Sequence, residues 1–298
     1  MSLAPRFGLF MSQAGKPWSQ VREEFRLADE LGFDTAWLVD HLVDTDGPPE
    51  HPCLEAWTLL GALAMATTRI RLGVLVSSNT FRHPSLLLKE AVTVDHVSGG
   101  RLILGIGTGW HEDEHRRYGF DLPANAERVD RFAEAVEIAV RLQEEPRLTF
   151  TGRHYRLEDA VFEPRPLQVP HIPLLIAAHR PRMLRLAGRW ADQWDTFPEL
   201  PGAATEGITT SIADRLAVVE QAARDAGRDP ATIRRSTWGG PETLESVEAY
   251  EAFVRHHLEL GFTDVCVVPR GIPGERLRRI AAEVLPRLRA EHARADEA

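Results

Sequence analysis

Residues 67–109 read TTRIRLGVLVSSNTFRHPSLLLKEAVTVDHVSGGRLILGIGTG. Two apolar, β-branched runs, 70–77 and 102–106, flank a longer segment with helical spacing at 85–96, so the stretch reads strand, helix, strand. The same alternation continues outward on both sides. Strands are expected at 7–10, 35–39, 174–177, 193–197, 233–238 and 264–268. Helices are expected at 21–31, 54–66, 127–142, 182–189, 214–226, 244–258 and 275–289. In the first helix Val21, Phe25, Ala28 and Leu31 recur at i, i+4, i+7 and i+10. Gly32, Gly227 and Gly261 close three helices as left-handed caps. Eight strands alternating with eight helices favour an α/β fold, a (β/α)8 TIM barrel, over a doubly wound open sheet. Insertions fall after strand 4 and before strand 5. The second, 147–171, holds Thr151-Gly152-Arg153 between two short β-prone runs and predicts a hairpin. No composition shift marks a boundary, so residues 1–298 read as one barrel domain with a frayed polar tail at 292–298.

Composition narrows the partners. A formal net charge of −9 over 298 residues argues against nucleic acid or an anionic membrane, and means that an anionic ligand needs a local positive pocket. The two cysteines, Cys53 and Cys266, have no CxxC spacing and no disulfide framework. The opening MSLAPRFGLF lacks the pattern of a signal peptide, and no apolar run reaches the ~18 residues of a membrane span. A cytoplasmic setting and a small-molecule substrate are expected.

In a barrel of this type, chemistry gathers just after the strands. Strand 2 ends in Val39-Asp40-His41, and histidine is the natural proton carrier near neutral pH. The plainer reading makes Asp40 a turn cap and His41 a solvated loop residue. Gly105, Gly107 and Gly109 follow strand 4, but a polar loop follows them where a dinucleotide fingerprint needs a helix. They suit instead a close approach of backbone to ligand. His111-Glu112-Asp113-Glu114-His115 spells the zinc-protease pattern, which needs a third ligand. Its charge density reads as a surface loop, and no metal is expected. After strand 5, His179-Arg180-Pro181-Arg182 opens a helix, where backbone N–H groups and Arg180 suit a phosphate or are merely solvated.

At these residues the sequence resembles the luciferase-like flavin and deazaflavin oxidoreductases. The likeness runs through ADELGFDTAWLVDH (28–41), the stretch from Thr67 to Phe120, FTGRHYRL (150–157), PRPLQ (164–168) and LAGRWADQWD (186–195), and thins after about Phe197. The Asp-His pair after strand 2 is most similar to the branch that uses coenzyme F420, a deazaflavin. The resemblance implies an isoalloxazine ring in the barrel mouth against a kinked strand 3, with a bulge and a non-prolyl cis peptide between Gly73 and Ser77. It implies ring contacts from Asp40, Leu75, Val76 and Ser77, with His41 as acid or base. Gly107, Thr108 and Asp113 would lie along the side chain, and Ala177, Ala178, His179 and Arg180 at the phosphate. Relatives usually carry glycine where His179 and Arg180 stand, a departure that puts cofactor identity in question more than fold.

Three readings follow. The first is hydride transfer between reduced F420 and a small organic substrate. The second is an FMN-dependent monooxygenase fed by a separate reductase, using oxygen at the same mouth. The third is a non-catalytic barrel that binds a flavin or a partner protein, for which the polar strand ends are more equipment than binding needs. Assembly as a homodimer stays open. Arg116, Arg117, Arg180 and Arg182 would make an electropositive groove for the F420 tail if their loops met at one rim.

Overall fold

The computed structural model describes residues 3–198 and 210–297. The strands that form the central sheet are β1 (Arg6–Phe10), β2 (Thr35–Leu38), β3 (Arg71–Val74), β4 (Ser77–Ser78) and β5 (Leu102–Gly107). A hairpin follows, β6 (Leu148–Thr151) with β7 (Arg156–Ala160), before the sheet resumes with β8 (Leu174–Ala177), β9 (Gln193–Asp195), β10 (Arg234–Gly239) and β11 (Asp264–Val267). All sheet pairings are parallel in the order β3-β2-β1-β11-β10-β9-β8-β5-β4, and β3 also pairs with β5. That last pairing closes the cylinder. Because β3 and β4 are two pieces of one position, the nine segments make an eight-strand (β/α)8 barrel, as the alternation in the sequence predicts.

The helices are α1 (Trp18–Glu30), α2 (Ala56–Ala66), α3 (Pro84–Ser98), α4 (Glu112–Tyr118), α5 (Asn125–Glu144), α6 (Pro181–Trp190), α7 (Ile212–Asp225), α8 (Val247–Glu259), α9 (Gly274–Arg279) and α10 (Leu285–Glu297). Their apolar faces and the outer faces of the strands form one large core. Gly32, Gly227 and Gly261 do take left-handed conformations at helix ends, with φ of 79°, 73° and 84°. The expected hairpin is present and antiparallel. Its turn is tied to α5 because the Glu134 carboxylate accepts from the backbone N–H groups of Arg153, His154 and Tyr155 at 2.8, 2.9 and 3.0 Å.

Two expectations need correction. The helix expected at 244–258 starts only at Val247, because Ser246 caps it and a short 3-10 turn, Pro241–Leu244, precedes it. The last helix does not end at 289 with a frayed tail. It continues through a π-helical segment, Ile280–Val284, into α10, which reaches Glu297.

Inside the barrel the fill is layered. Trp37, Ile103, Leu175 and Cys266 make a small separate core, and Phe10, Leu75, Val76 and Trp238 pack on it towards the mouth. Trp37 sets the spacing: a Cβ on Gly73 would lie 2.4 Å from its ring, so that strand position has to be bare. The run expected as one strand over 70–77 is interrupted, and the Leu75–Val76 peptide within it is cis. Leu75 N–H still bonds to Leu38 O at 2.9 Å, and Asn79 N–H to Gly107 O at 3.0 Å, so both pieces stay in the wall.

Candidate active site

The strand ends open into a cavity of about 710 Å³ at the C-terminal mouth of the barrel. Of the residues that the resemblance assigns to cofactor or catalysis, Asp40, His41, Leu75, Val76, Gly107, Thr108, Ala177 and His179 line it. The others stand outside the lining. Ser77 is buried, its Oγ accepting from Trp57 Nε1 at 3.1 Å. Ala178 is buried behind the wall, its carbonyl accepting from Trp194 Nε1 at 3.0 Å. Asp113 is paired at the surface with Arg116 and Arg117, and Arg180 is exposed at the start of α6.

Asp40 works as a clamp. Its carboxylate accepts from Ser78 N–H at 2.7 Å and from both terminal nitrogens of Arg82, at 2.6 and 3.2 Å. Arg82 also reaches Glu55 at 2.9 Å and Glu90 at 3.3 Å. Burial pulls the Arg82 guanidinium down, but these carboxylates, Asp40 foremost, outweigh it and hold its proton more firmly than usual. The end of β2 is thus tied to β4, which fixes the loop that carries His41.

The acidic run 111–115 is not the surface loop expected from its charge. His111 caps α4, accepting from Glu114 N–H at 3.1 Å, and Gly119 ends the helix in a left-handed conformation with φ of 74°. Both are ordinary helix signals, legible in the sequence once the charges are read as a first acidic and a last basic turn. The helix turns Glu114 and His115 inward. Glu114, 0% exposed, accepts from His41 Nδ1 at 3.0 Å and from the backbone N–H groups of Leu42 and Val43. Burial pushes its carboxyl up, but these hydrogen bonds together overcome that and hold it below its ordinary value. A carboxylate accepts only, so His41 Nδ1 must donate, and Nε2 is left without a protein partner among the described residues. His115 has both nitrogens engaged, Nδ1 with His111 O at 2.7 Å and Nε2 with Thr80 Oγ1 at 2.6 Å. The zinc-protease letters therefore serve to position a histidine of the mouth.

On the far side, Thr196 Oγ1 meets both Arg215 Nη1 and His179 Nδ1, the latter at 3.2 Å. Burial, with Arg215 nearby, drives the His179 pKa down to about 4, so the ring is neutral at physiological pH. Thr196 Oγ1 accepts from the guanidinium, and with Nδ1 engaged by the same hydroxyl the uncharged His179 ring keeps Nε2 without a protein hydrogen bond among the described residues. None of Arg116, Arg117, Arg180 and Arg182 lines the cavity; Arg116 and Arg117 are paired with Asp113, and Arg182 with Asp130 at 2.5 Å.

Asp195, at the end of β9, is a carboxyl that the sequence places in the mouth without marking it as unusual. Its Oδ1 accepts from Ser236 Oγ at 2.7 Å. Burial pushes its pKa up to about 7, against that hydrogen bond. Folding thus favours the protonated form. The resulting stabilisation is full below the unfolded value of ~3.9 and lost as pH rises through about 7. Asp195→Asn removes that dependence. Relative to the native chain, the variant should gain about 2–3 kcal/mol between about pH 5 and pH 8, measured by urea unfolding at each pH. A constant difference across that interval would show that Asp195 is charged throughout.

Comparison with known proteins places this geometry. The family model described as luciferase-like monooxygenase matches residues 1–298. An F420-dependent glucose-6-phosphate dehydrogenase of Microbacterium testaceum is 34% identical over 72% of this chain, the match spanning 64% of that relative, just under two thirds. The enzyme of the same name from Beutenbergia cavernae is 31% identical over 89% of this chain and 91% of its own length. Among solved structures, the coenzyme F420-dependent tetrahydromethanopterin reductase of Methanopyrus kandleri superposes with a TM-score of 0.79 at 18% identity, covering 96% of this chain and 99% of that one. Among the described residues no helix is long and apolar enough to cross a membrane. With its strand-end mouth, its interrupted third strand and this match along its whole length, the chain belongs to the luciferase-like monooxygenase family and is an oxidoreductase.

Proposed function

We propose that this chain transfers a hydride between coenzyme F420 and a small organic substrate, with His41 exchanging the accompanying proton. The observation that supports it best is the pairing of an apolar floor with a directed histidine in one mouth: Leu75 and Val76 beneath, His41 beside them on buried Glu114. The lining fits a planar ring. A Cβ on Gly107 would come within 2.6 Å of Val76 Cγ2, so Val76 and the bare glycine leave a flat, apolar surface. The cavity of about 710 Å³ falls within the range of roughly 300–1,000 Å³ usual for cofactor sites.

When bound, the deazaflavin supplies a ring carbon that gives or accepts a hydride and reacts poorly with oxygen. The chain's own residues do the rest. Leu75, Val76, Gly107 and Thr108 would hold the ring and the start of its side chain. Ala177, the neutral His179 ring and Arg180 at the opening of α6 would take the phosphate. His41 Nε2 gives or takes the substrate proton, while Asp40 and Glu114 keep the ring in place. Arg180→Ala should weaken cofactor binding roughly 10- to 100-fold, as expected for one charge-assisted hydrogen bond of about 1.5–3 kcal/mol. Affinity unchanged at low salt would show that Arg180 serves only solvent.

One observation favours the FMN reading. With Arg116, Arg117 and Arg182 paired to carboxylates, the mouth suits a short monophosphate better than a polyanionic tail. The relatives named for F420 support the deazaflavin. Titrating both cofactors by fluorescence quenching, then assaying turnover without oxygen, separates them. Reduced FMN supporting turnover that stops anaerobically, with no deazaflavin binding at micromolar concentration, would establish the monooxygenase.

A further inference from the structure

The mouth has a second wall, opposite the floor formed by Leu75 and Val76. Phe10, at the end of β1, meets Trp238 of β10 with ring centroids 5.4 Å apart. Trp238 meets Phe197 edge-on at 5.6 Å, and Phe197 stacks on His179 at 4.2 Å. These rings come from four different strand ends, and all face the cavity. At the rim stands Trp110, 64% exposed, edge-on to His41 at 5.6 Å. Trp110 belongs to the cavity lining, so its open face extends the apolar surface of the mouth to the rim.

Charge in the mouth runs against anions. Among the described lining residues the only arginine or lysine is Arg270, and Asp46 already pairs with it. The carboxyls of the lining are Asp40, Asp46, Glu114 and Asp195. His179 is neutral, and His115 has both nitrogens engaged. Residues 199–209, ELPGAATEGIT, contain two glutamates and no lysine, arginine or histidine, so they add no cation wherever they lie. Within the cavity, away from the Arg180 end of the mouth, the phosphate of a substrate would lose its hydration with no unpaired arginine or lysine of the described lining to meet it.

We infer that the substrate is an uncharged, apolar ketone, or the matching secondary alcohol, packed against Phe10, Trp238 and Phe197 beneath Trp110, and that phosphorylated sugars are excluded. This rests on the hydride-transfer reading above. In the reducing direction the carbonyl carbon receives a hydride from the reduced deazaflavin as the carbonyl π bond breaks. The oxygen takes the proton of His41, which solvent restores, and the products are the alcohol and the oxidised deazaflavin. The reverse reaction uses neutral His41 as the base.

Two measurements separate substrate class from cofactor. Saturation-transfer NMR on the full chain, with and without deazaflavin, reads binding of cyclohexanone, acetophenone and glucose 6-phosphate. The ketones should bind and glucose 6-phosphate should not, and Trp238→Ala should weaken ketone binding about tenfold, the equivalent of about 1.4 kcal/mol. Anaerobic mixing with reduced deazaflavin then reads turnover, which a ketone should support by restoring the oxidised chromophore. Glucose 6-phosphate binding as tightly as the ketones overturns the inference. So does ketone affinity that survives both Trp238→Ala and Trp110→Ala. Ketone binding that depends on Trp238 while reduced deazaflavin is never consumed supports the substrate class and overturns the cofactor reading alone.

Discussion

His41→Asn should lower turnover about 10²- to 10⁴-fold, the usual effect of removing a positioned acid or base, while cofactor affinity barely changes. The argument rests on where the imidazole is held. His41 lines the cavity, with its side chain only 15% exposed, and its Nδ1 is committed to Glu114. One ring nitrogen is therefore left for substrate, in a loop that Asp40 and Arg82 anchor on one side and Glu114 on the other. Asparagine is close in polarity and places an amide near the Nδ1 position, so it keeps a partner for Glu114 and removes only the titratable nitrogen. Turnover at saturating cofactor and substrate, with the cofactor dissociation constant from fluorescence quenching, checks both halves. If turnover survives and affinity falls instead, His41 is a cofactor contact and the proton comes from elsewhere.

The barrel was legible in the sequence because its signals are local. Strand runs such as 102–106 and glycine caps such as Gly32 need no knowledge of distant partners. The strand-end rule then brought Asp40, His41, Gly107 and His179 to one mouth, where they do stand. What escaped was set by tertiary contact. The charge of Glu114 marks it as a surface residue, yet it is buried because the N–H groups of Leu42 and Val43, more than 70 positions away in sequence, need an acceptor. Arg180 follows a strand end as the rule asks, and it stands exposed at the opening of α6, just outside the cavity lining. The aromatic wall of the cavity escaped for a similar reason. Phe10, Phe197 and Trp238 each read as ordinary strand hydrophobics, and only barrel closure through β1 and β11 sets Phe10 against Trp238.

Glu114→Gln should lower turnover by about 10²- to 10³-fold with little loss of cofactor affinity, although Glu114 need touch neither cofactor nor substrate. The carboxylate does two jobs. It accepts from the loop N–H groups of Leu42 and Val43, and it compels His41 Nδ1 to donate. Glutamine has nearly the same shape and keeps one oxygen for the loop, so the fold should survive. Its NH2 group, however, can donate to Nδ1 and so let the proton sit on Nε2. Exchanging a carboxylate for an amide beneath a catalytic histidine costs orders of magnitude in rate through this change of tautomer, with the geometry intact. Glu114 is thus a positioning residue, and two readouts distinguish that role from a structural one. The split between kcat and KM should fall almost wholly on kcat, because the mouth itself is unchanged. The 15N shifts of the His41 ring should move from the Nδ1–H tautomer in the native chain towards Nε2–H in the variant. Turnover that falls only in step with a loss of thermal stability, with the ring tautomer unmoved, would reduce Glu114 to a buried cap for the loop at 42–43.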